Sequence, residues 1–315
     1  GQDLVQGFRS RPALPDHLGL EKALISPRHV EVQVLADRRG HVIHLFEREC
    51  SVQRRHQKII EETPSPGIEP SLRDQLGKAA VAAAAAAGYE NAGTVEFLVD
   101  QTGRFHFLEV NTRLQVEHPV TEMITGIDLV RHQIEIAHGN PLRLAQEDIV
   151  PRGHAIECRI YAEDPEAGFV PSSGRVAVLR EPSGPGIRND CGIYEGCVVP
   201  VEYDPILSKL VATGETREAA RMRMVGALKQ FVILGIRTTV SFLLELVQSE
   251  AFIAGRTTTD FIERHFETRS VRPEGSDLAA IAYVLDGFHQ IEEPRRAQGR
   301  REALTPWDTL GPWRI

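Results

Sequence analysis

The densest set of groups able to do chemistry lies in Glu109-Val110-Asn111-Thr112-Arg113-Leu114-Gln115-Val116-Glu117-His118. Odd positions carry Glu, Asn, Arg, Gln and Glu; even positions are mostly apolar. An extended chain sends alternate side chains to opposite faces, so the polar groups fall into one row. A solvated edge alternates in the same way, but it more often carries Lys, Thr and Ser. Asn, Arg and Gln set between two carboxylates favour a functional row.

A second strand, Gly93 to Asp100, precedes the row through the turn Gln101-Thr102-Gly103-Arg104. If Thr102 and Gly103 form a two-residue loop, Glu96 lies opposite Glu109. Directly paired side chains sit about 5 Å apart at Cβ. A slip of one residue separates the two acids. Like charges this close repel, and a cation between them relieves the repulsion. Hard oxygen donors suit Mg²⁺ or Mn²⁺ beside substrate phosphates. The plainer alternative is that Glu96 pairs with a lysine or arginine across the sheet.

Upstream, Arg48 to Lys58 holds Arg48, Arg54, Arg55 and Lys58 together with His56. Such a run is either a solvated loop or a site for an anion such as phosphate or bicarbonate. Arg188 lies in Gly186-Ile187-Arg188-Asn189. It either pairs with a surface carboxylate or reaches back to that anion.

These residues need elements to position them. His29–Asp37 alternates, with Val30, Val32 and Val34 on one face and Glu31 and Gln33 on the other, and His41–Glu47 returns as a hairpin partner. Pro64, Pro66 and Pro70 mark a loop. Ser71 is expected to cap a helix to Ala87 that Gly88 ends. Thr121 is expected to cap a second helix, Glu122 to about His138, with Met123, Ile124, Ile127, Val130 and Ile134 as its core stripe. A boundary is expected near Pro141 to Pro151. Beyond it come short strands at His154–Tyr161, Arg175–Arg180, Ile187–Ile193 and Ile206–Ala212, then helices from Arg217 and Thr239. The class is α+β.

The 315 residues are 42% hydrophobic and 25% charged, with a net charge of −8. That is a globular balance, and its sign argues against a general binder of nucleic acid or acidic membranes. Cys50, Cys158, Cys191 and Cys197 show no Cys-x-x-Cys spacing and read as reduced thiols of a cytoplasmic protein. No apolar run is long enough to span a bilayer. The chain opens on Gly without a clear element and reads as a piece whose start is missing.

Arg28 to Leu35, Glu49 to Lys58, Glu109 to Glu122 and Gly153 to Arg159 together resemble the biotin carboxylase component, or α subunit, of biotin-dependent acyl-CoA carboxylases. The resemblance runs from about Leu20 to about Phe266. It implies the C-terminal part of an ATP-grasp domain over 21–148 and a biotin carboxylase C-terminal domain over 149–266. An irregular remnant would occupy 1–20, and a linker with the start of another domain 267–315. The implied reaction makes carboxyphosphate from ATP and bicarbonate and passes its CO₂ to N1′ of biotin.

Carried over by position, Glu96 and Glu109 would bind Mg²⁺ or Mn²⁺ with Asn111 close by. Glu21 and Leu24 would meet the adenine. His29, Gln53 and His56 would hold the ribose side. Lys58, Arg113, Gln115 and Val116 would surround bicarbonate, and Glu117 would take its proton. Arg113 would stabilise the biotin enolate, and Arg188 would help hold biotin or phosphate. The implied partners are a second copy of the chain, a biotin carboxyl carrier domain and a carboxyltransferase subunit. The family's first half, with its glycine-rich lid, should precede Glu21, so the chain alone is expected to carboxylate little. Phe46 stands where the family often has a small residue. Another ATP-grasp ligase, such as a carbamoyl phosphate synthetase half, and a non-catalytic assembly fragment are the competing expectations.

Overall fold

The computed structural model describes residues 23–266, which lie within one compact unit. Glu21, the N-terminal remnant, and the linker and helix expected after Glu267 fall outside the described residues.

Eight strands form one antiparallel sheet. They are β1 (Arg28–Ala36), β2 (Val42–Arg54), β3 (Gln57–Thr63), β4 (Asn91–Val99), β5 (Phe105–Asn111), β6 (His154–Tyr161), β7 (Ile187–Cys191) and β8 (Ile206–Gly214). Their order is β7-β8-β6-β3-β2-β1-β4-β5. Pairing of β3 with β6 carries the sheet across the boundary expected near residue 148.

The expected hairpin at 29–47 forms, but its second strand runs on to Arg54. The cationic run 48–58 is therefore strand, tight turn and strand, not a loop. Arg55 and His56 make the turn with φ of 50° and 65°. Two positive φ angles match the twist of a hairpin, but they usually call for Gly or Asn. Phe46 is left-handed too (φ 65°) and sets its ring edge-on to His44. The strand expected over Arg175–Arg180 is instead two pieces, Gly174–Arg175 and Val178–Arg180, in separate small ladders.

Helix α1 (Pro70–Ala86) lies on one face of the sheet. Leu76, Ala80 and Ala84 pack on Val30, Val32, Val34, Val95, Phe97 and Val99. A fully buried valine contributes about 1.5–3 kcal/mol. Gly77 lets the helix close on the sheet, since a Cβ there would stand 2.6 Å from His44 Nε2. Ser71 is not the cap: Glu69 is, with no side-chain capping bond, and Pro70 supplies the preset φ of a first helical residue.

The helix expected from Glu122 to His138 is two helices, α2 (His118–Thr125) and α3 (Leu129–Ala137). Gly126 ends α2 at φ 72°, and Asp128 caps α3 by accepting from Arg131 N. Thr121 is thus inside α2, where it serves Arg48. The break also rotates the stripe. Ile124, Leu129 and Ile136 are buried, whereas Val130 and Ile134 are 43% and 67% exposed. Helices α4 (Arg217–Gln230) and α5 (Val240–Gln248) pack on the other end of the sheet through Met224, Leu228, Leu243 and Leu246.

Candidate functional site

The face of the sheet opposite α1 carries polar groups that water scarcely reaches. Glu31 on β1 is the register partner of Glu96 on β4, which is the register partner of Glu109 on β5. Three carboxylates thus cross three strands in one line. The turn between β4 and β5 is not the expected two-residue loop. Val99 pairs with Phe105, so the turn alone would put Glu96 out of step with Glu109. A bulge at Leu108, between the pairs Phe97–Phe107 and Glu96–Glu109, restores the register. The Asn111 amide donates to Oε1 of Glu96 (2.9 Å) and of Glu109 (3.2 Å), so both acids turn to the same side. Glu96 is buried and Glu109 exposed.

Lys58, on β3, gathers this row. Its ammonium donates to Glu31 Oε2 (2.5 Å), Glu96 Oε1 (3.0 Å) and Glu117 Oε1 (2.6 Å). The plainer expectation for Glu96, pairing with a cation across the sheet, is therefore met alongside its pairing with Glu109. Arg48 is wholly buried and closes the other side of Glu31 at 2.5 Å. It also donates to Gln33 and Thr121 (2.9 Å each) and to Thr94 (3.1 Å). His29 Nε2 is hydrogen-bonded to Glu96 Oε2 at 2.7 Å.

Burial by itself would raise the Glu31 carboxyl, but Arg48 and Lys58 outweigh it and hold the pKa at about 2. Burial likewise pushes Glu96 up; the His29 hydrogen bond and the Lys58 charge bring it down to about 2. For Lys58, desolvation favours the neutral amine, and the surrounding carboxylates reverse that and raise its pKa. Both carboxylates and the ammonium are charged at neutral pH.

After Asn111 the chain leaves the extended form, so the row expected to reach His118 stops there as a strand. Gln115 and Glu117 arrive by a turn into α2 instead. Glu117 is the N-cap residue of α2 but makes no capping bond. Its carboxylate takes Lys58 on one oxygen and Arg159 on the other, the latter at 3.0 Å. Gln115 Nε2 stands 3.5 Å from Glu96 Oε1, and exposed Arg113 donates to Gln115 Oε1 at 3.2 Å. The Val116 carbonyl accepts from Lys209 at 3.2 Å.

The structure therefore brings together His29, Lys58, Glu96, Glu109, Asn111, Arg113, Gln115, Val116 and Glu117. Gln53 is the register partner of Lys58, and exposed His56 sits in the adjoining turn. Leu24 is half-buried at the start of the described chain. Arg188 is not in the network. It is engaged by Asp190 (2.9 Å) and Glu122 (2.7 Å), the duller of the two options its sequence left open. The sequence names Glu31 on its strand face and Arg48 in the cationic run but gives neither a place in the row, and it gives Arg159 none. The signal for Arg159 was available, since Glu157 and Arg159 alternate onto one face of β6.

Two family models match the chain: "Carbamoyl-phosphate synthase L chain, ATP binding domain" over residues 10–145 and "Biotin carboxylase C-terminal domain" over 157–264. The chain is 50% identical over 246 residues to biotin carboxylase 2 of Bacillus subtilis, covering 78% of this chain and 55% of that protein. It is 52% identical over 267 residues to a chloroplastic biotin carboxylase of Arabidopsis thaliana, covering 84% and 50%. Among solved structures, the biotin carboxylase domain dimer of a Hydrogenobacter thermophilus 2-oxoglutarate carboxylase, in complex with MgADP, ADP and bicarbonate, superimposes with a TM-score of 0.77 at 46% identity, covering 78% and 54%. The class is thus an ATP-grasp domain joined to a biotin carboxylase C-terminal domain. Within that class, the chain belongs to the biotin carboxylase family. It spans about half the length of these relatives. No helix among the described residues is long and apolar enough to cross a membrane.

Proposed function

We propose that this chain takes part in the ATP- and bicarbonate-dependent carboxylation of biotin, the first half-reaction of an acyl-CoA carboxylase. The observation that carries the reading is the Lys58 ammonium, held by Glu31, Glu96 and Glu117 at the meeting of β1, β3, β4 and the turn before α2. A fixed cation beside a carboxylate base fits an anionic substrate that must lose a proton. Membership in the biotin carboxylase family supports bicarbonate as that substrate.

Glu96, Glu109 and Asn111 are assigned to a divalent ion. Two carboxylates and an amide on one side of the sheet form a hard donor set of the kind Mg²⁺ or Mn²⁺ takes. Such an ion would neutralise the phosphate oxygens of ATP. Lys58, Arg113, Gln115 and Val116 would hold bicarbonate. Glu117 would accept its proton on an oxygen that already faces Lys58 or Arg159. Arg113, exposed beside Gln115, would stabilise the biotin enolate. Glu21 and Leu24 are assigned to the adenine side; His29, Gln53 and His56 are assigned to the ribose side. Arg188 is committed to Asp190 and Glu122, and we give its anion-facing role to Arg159, which touches Glu117. The proposed partners, in the cytoplasm, are a second copy, a carrier domain and a carboxyltransferase subunit.

The test is ATP hydrolysis by the 315-residue chain with Mg²⁺, measured with and without bicarbonate and free biotin. The expected result is stimulation that falls by about 10²-fold or more in Glu117→Gln. Absence of stimulation, together with a stable dimer in sedimentation, transfers support to the non-catalytic assembly reading.

A further inference from the structure

Behind Glu117 lies a second carboxylate pair that the proposed reaction does not use. Glu61 on β3 is the register partner of Glu157 on β6, and both are 0% exposed. Neither oxygen of Glu157 is hydrogen-bonded within the protein. Arg159 forms an ion pair with Glu61, and the same guanidinium donates to Glu117 at 3.0 Å. Across β8 the register partner of Glu157 is Val211, which packs with Ala155, Val120 and Ile124 in an apolar cluster. One guanidinium therefore serves two buried carboxylates, Glu61 and Glu117, and Glu157 has none of its own.

The other charges facing the pair are already engaged. Lys58 is taken by Glu31, Glu96 and Glu117; Lys209 is taken by Asp190 and the Val116 carbonyl. Tyr161, farther along β6, donates its hydroxyl to the Lys58 carbonyl. Two buried anions at directly paired positions of a sheet cannot both be sustained with this supply of cations.

We propose that Glu61 and Glu157 hold one proton between them, and that this shared proton fixes Arg159 between the pair and Glu117. With one negative charge, the pair anchors Arg159 while its Nη2, which meets Glu61, still reaches Glu117. With two, it would draw the guanidinium off Glu117. Burial pushes the Glu61 carboxyl up to about 7, and burial with the Glu61 charge pushes Glu157 well above the carboxylate range. Glu61 and Glu157 are thus positioning residues that act through Arg159. Their consequence for catalysis rests on Glu117 being the base, but the proton is measurable without any activity.

Unfolding exposes both acids, which then ionise at neutral pH. Proton release on unfolding the 315-residue chain at pH 7 is followed by calorimetry in buffers of different ionisation enthalpy. The expected result is that Glu157→Gln and Glu61→Gln each release about one proton fewer than the wild type. Equal release by Glu157→Gln and wild type overturns the proposal, because the pair then carries no proton. Undiminished release by Glu61→Gln also overturns it, because Glu157 is then a lone desolvated acid and nothing is shared. Should either variant fail to fold, infrared spectra of wild type carrying ¹³C-labelled glutamate decide. A protonated-carboxyl band at pH 7 that shifts with the label supports sharing, and its absence refutes it. In the active assembly, Glu157→Gln should move the alkaline limb of the pH profile while leaving its maximum in place.

Discussion

Glu31 and Glu61 are the same residue type, each fully buried in a central strand of the same sheet, yet their carboxyl groups go in opposite directions. Burial raises both. Glu31 nevertheless sits at about 2, and Glu61 is pushed up to about 7. The difference is the supply of cations. Glu31 has Arg48 on one oxygen and Lys58 on the other, whereas Glu61 has only Arg159, which Glu117 shares. Depth in the sheet therefore does not set the charge state of a buried acid here; the count of committed counterions does. The front row, built for charge, faces the proposed substrates. The rear pair is short of one cation, and a proton makes up the deficit.

The comparison breaks most directly at Arg48. In Arg48→Met, Glu31 keeps Lys58 alone, and Gln33, Thr94 and Thr121 each lose a buried hydrogen-bond donor. Removing one partner of a buried ion pair costs about 3–5 kcal/mol. Urea denaturation should show that loss as a lower midpoint with an unchanged slope. A loss below about 1 kcal/mol, in the range of exposed ion pairs, would mean that the front row is not held by its counterions. Glu31→Gln should cost somewhat less, about 2–3 kcal/mol, because Arg48 keeps its bonds to Gln33, Thr94 and Thr121 while Lys58 keeps Glu96 and Glu117.

The two regions also impose opposite pH dependences. Glu31 and Glu96 have folded pKa values of about 2 against an ordinary 4.5, so their contribution is complete above 4.5 and is lost as pH falls toward 2. For Glu31 the shift corresponds to about 3 kcal/mol. Glu61 is raised to about 7, so its contribution is complete below 4.5 and is lost as pH rises through 7. Guanidinium denaturation across this range should place maximum stability between the two limbs. A stability still rising from pH 6 to pH 8 would contradict the assignment of the rear pair.

Much of the front row was legible in the sequence because its signals are local. The period-2 pattern of Glu109 to Glu117 and the short link to Glu96 already join the two acids. Even so, the expected turn was wrong, and a bulge at Leu108 that no residue type announces restores the register. Non-local groups were not legible. The alternation of β1 places Glu31 and Gln33 on one face, but their burial depends on Arg48, 17 residues beyond Glu31, and on α2, some 90 residues away. Strand β3 was missed because its hairpin turn uses Arg55 and His56 in left-handed conformations where Gly or Asn would have marked it. Without β3 no local signal sets Glu61 against Glu157, and Arg159, unlike Arg188, has no neighbouring glycines to mark it. The split between α2 and α3 was written in Gly126-Ile127-Asp128, a stop followed by a cap, but a continuous apolar period masked it.

The sharpest form of the comparison applies one substitution to both regions. Glu157→Gln removes the same atoms from an equally buried acid as Glu31→Gln, but the expected loss is within about 1 kcal/mol at pH 7. An amide has the shape of a protonated carboxyl and carries no charge, so it replaces the half of the pair that is already neutral. Glu157 has no hydrogen bond within the protein to lose, and Glu61 keeps Arg159. The sign should even reverse at higher pH. Once pH passes the raised pKa of Glu157, the wild type gives up the shared proton and must keep two anions beside Val211, whereas the variant keeps one. Denaturation midpoints of the two proteins should therefore cross as pH rises on the alkaline side of 7. Parallel curves would show that Glu157 is charged in the native state throughout, and that Glu31 and Glu61 differ for some reason other than their cations.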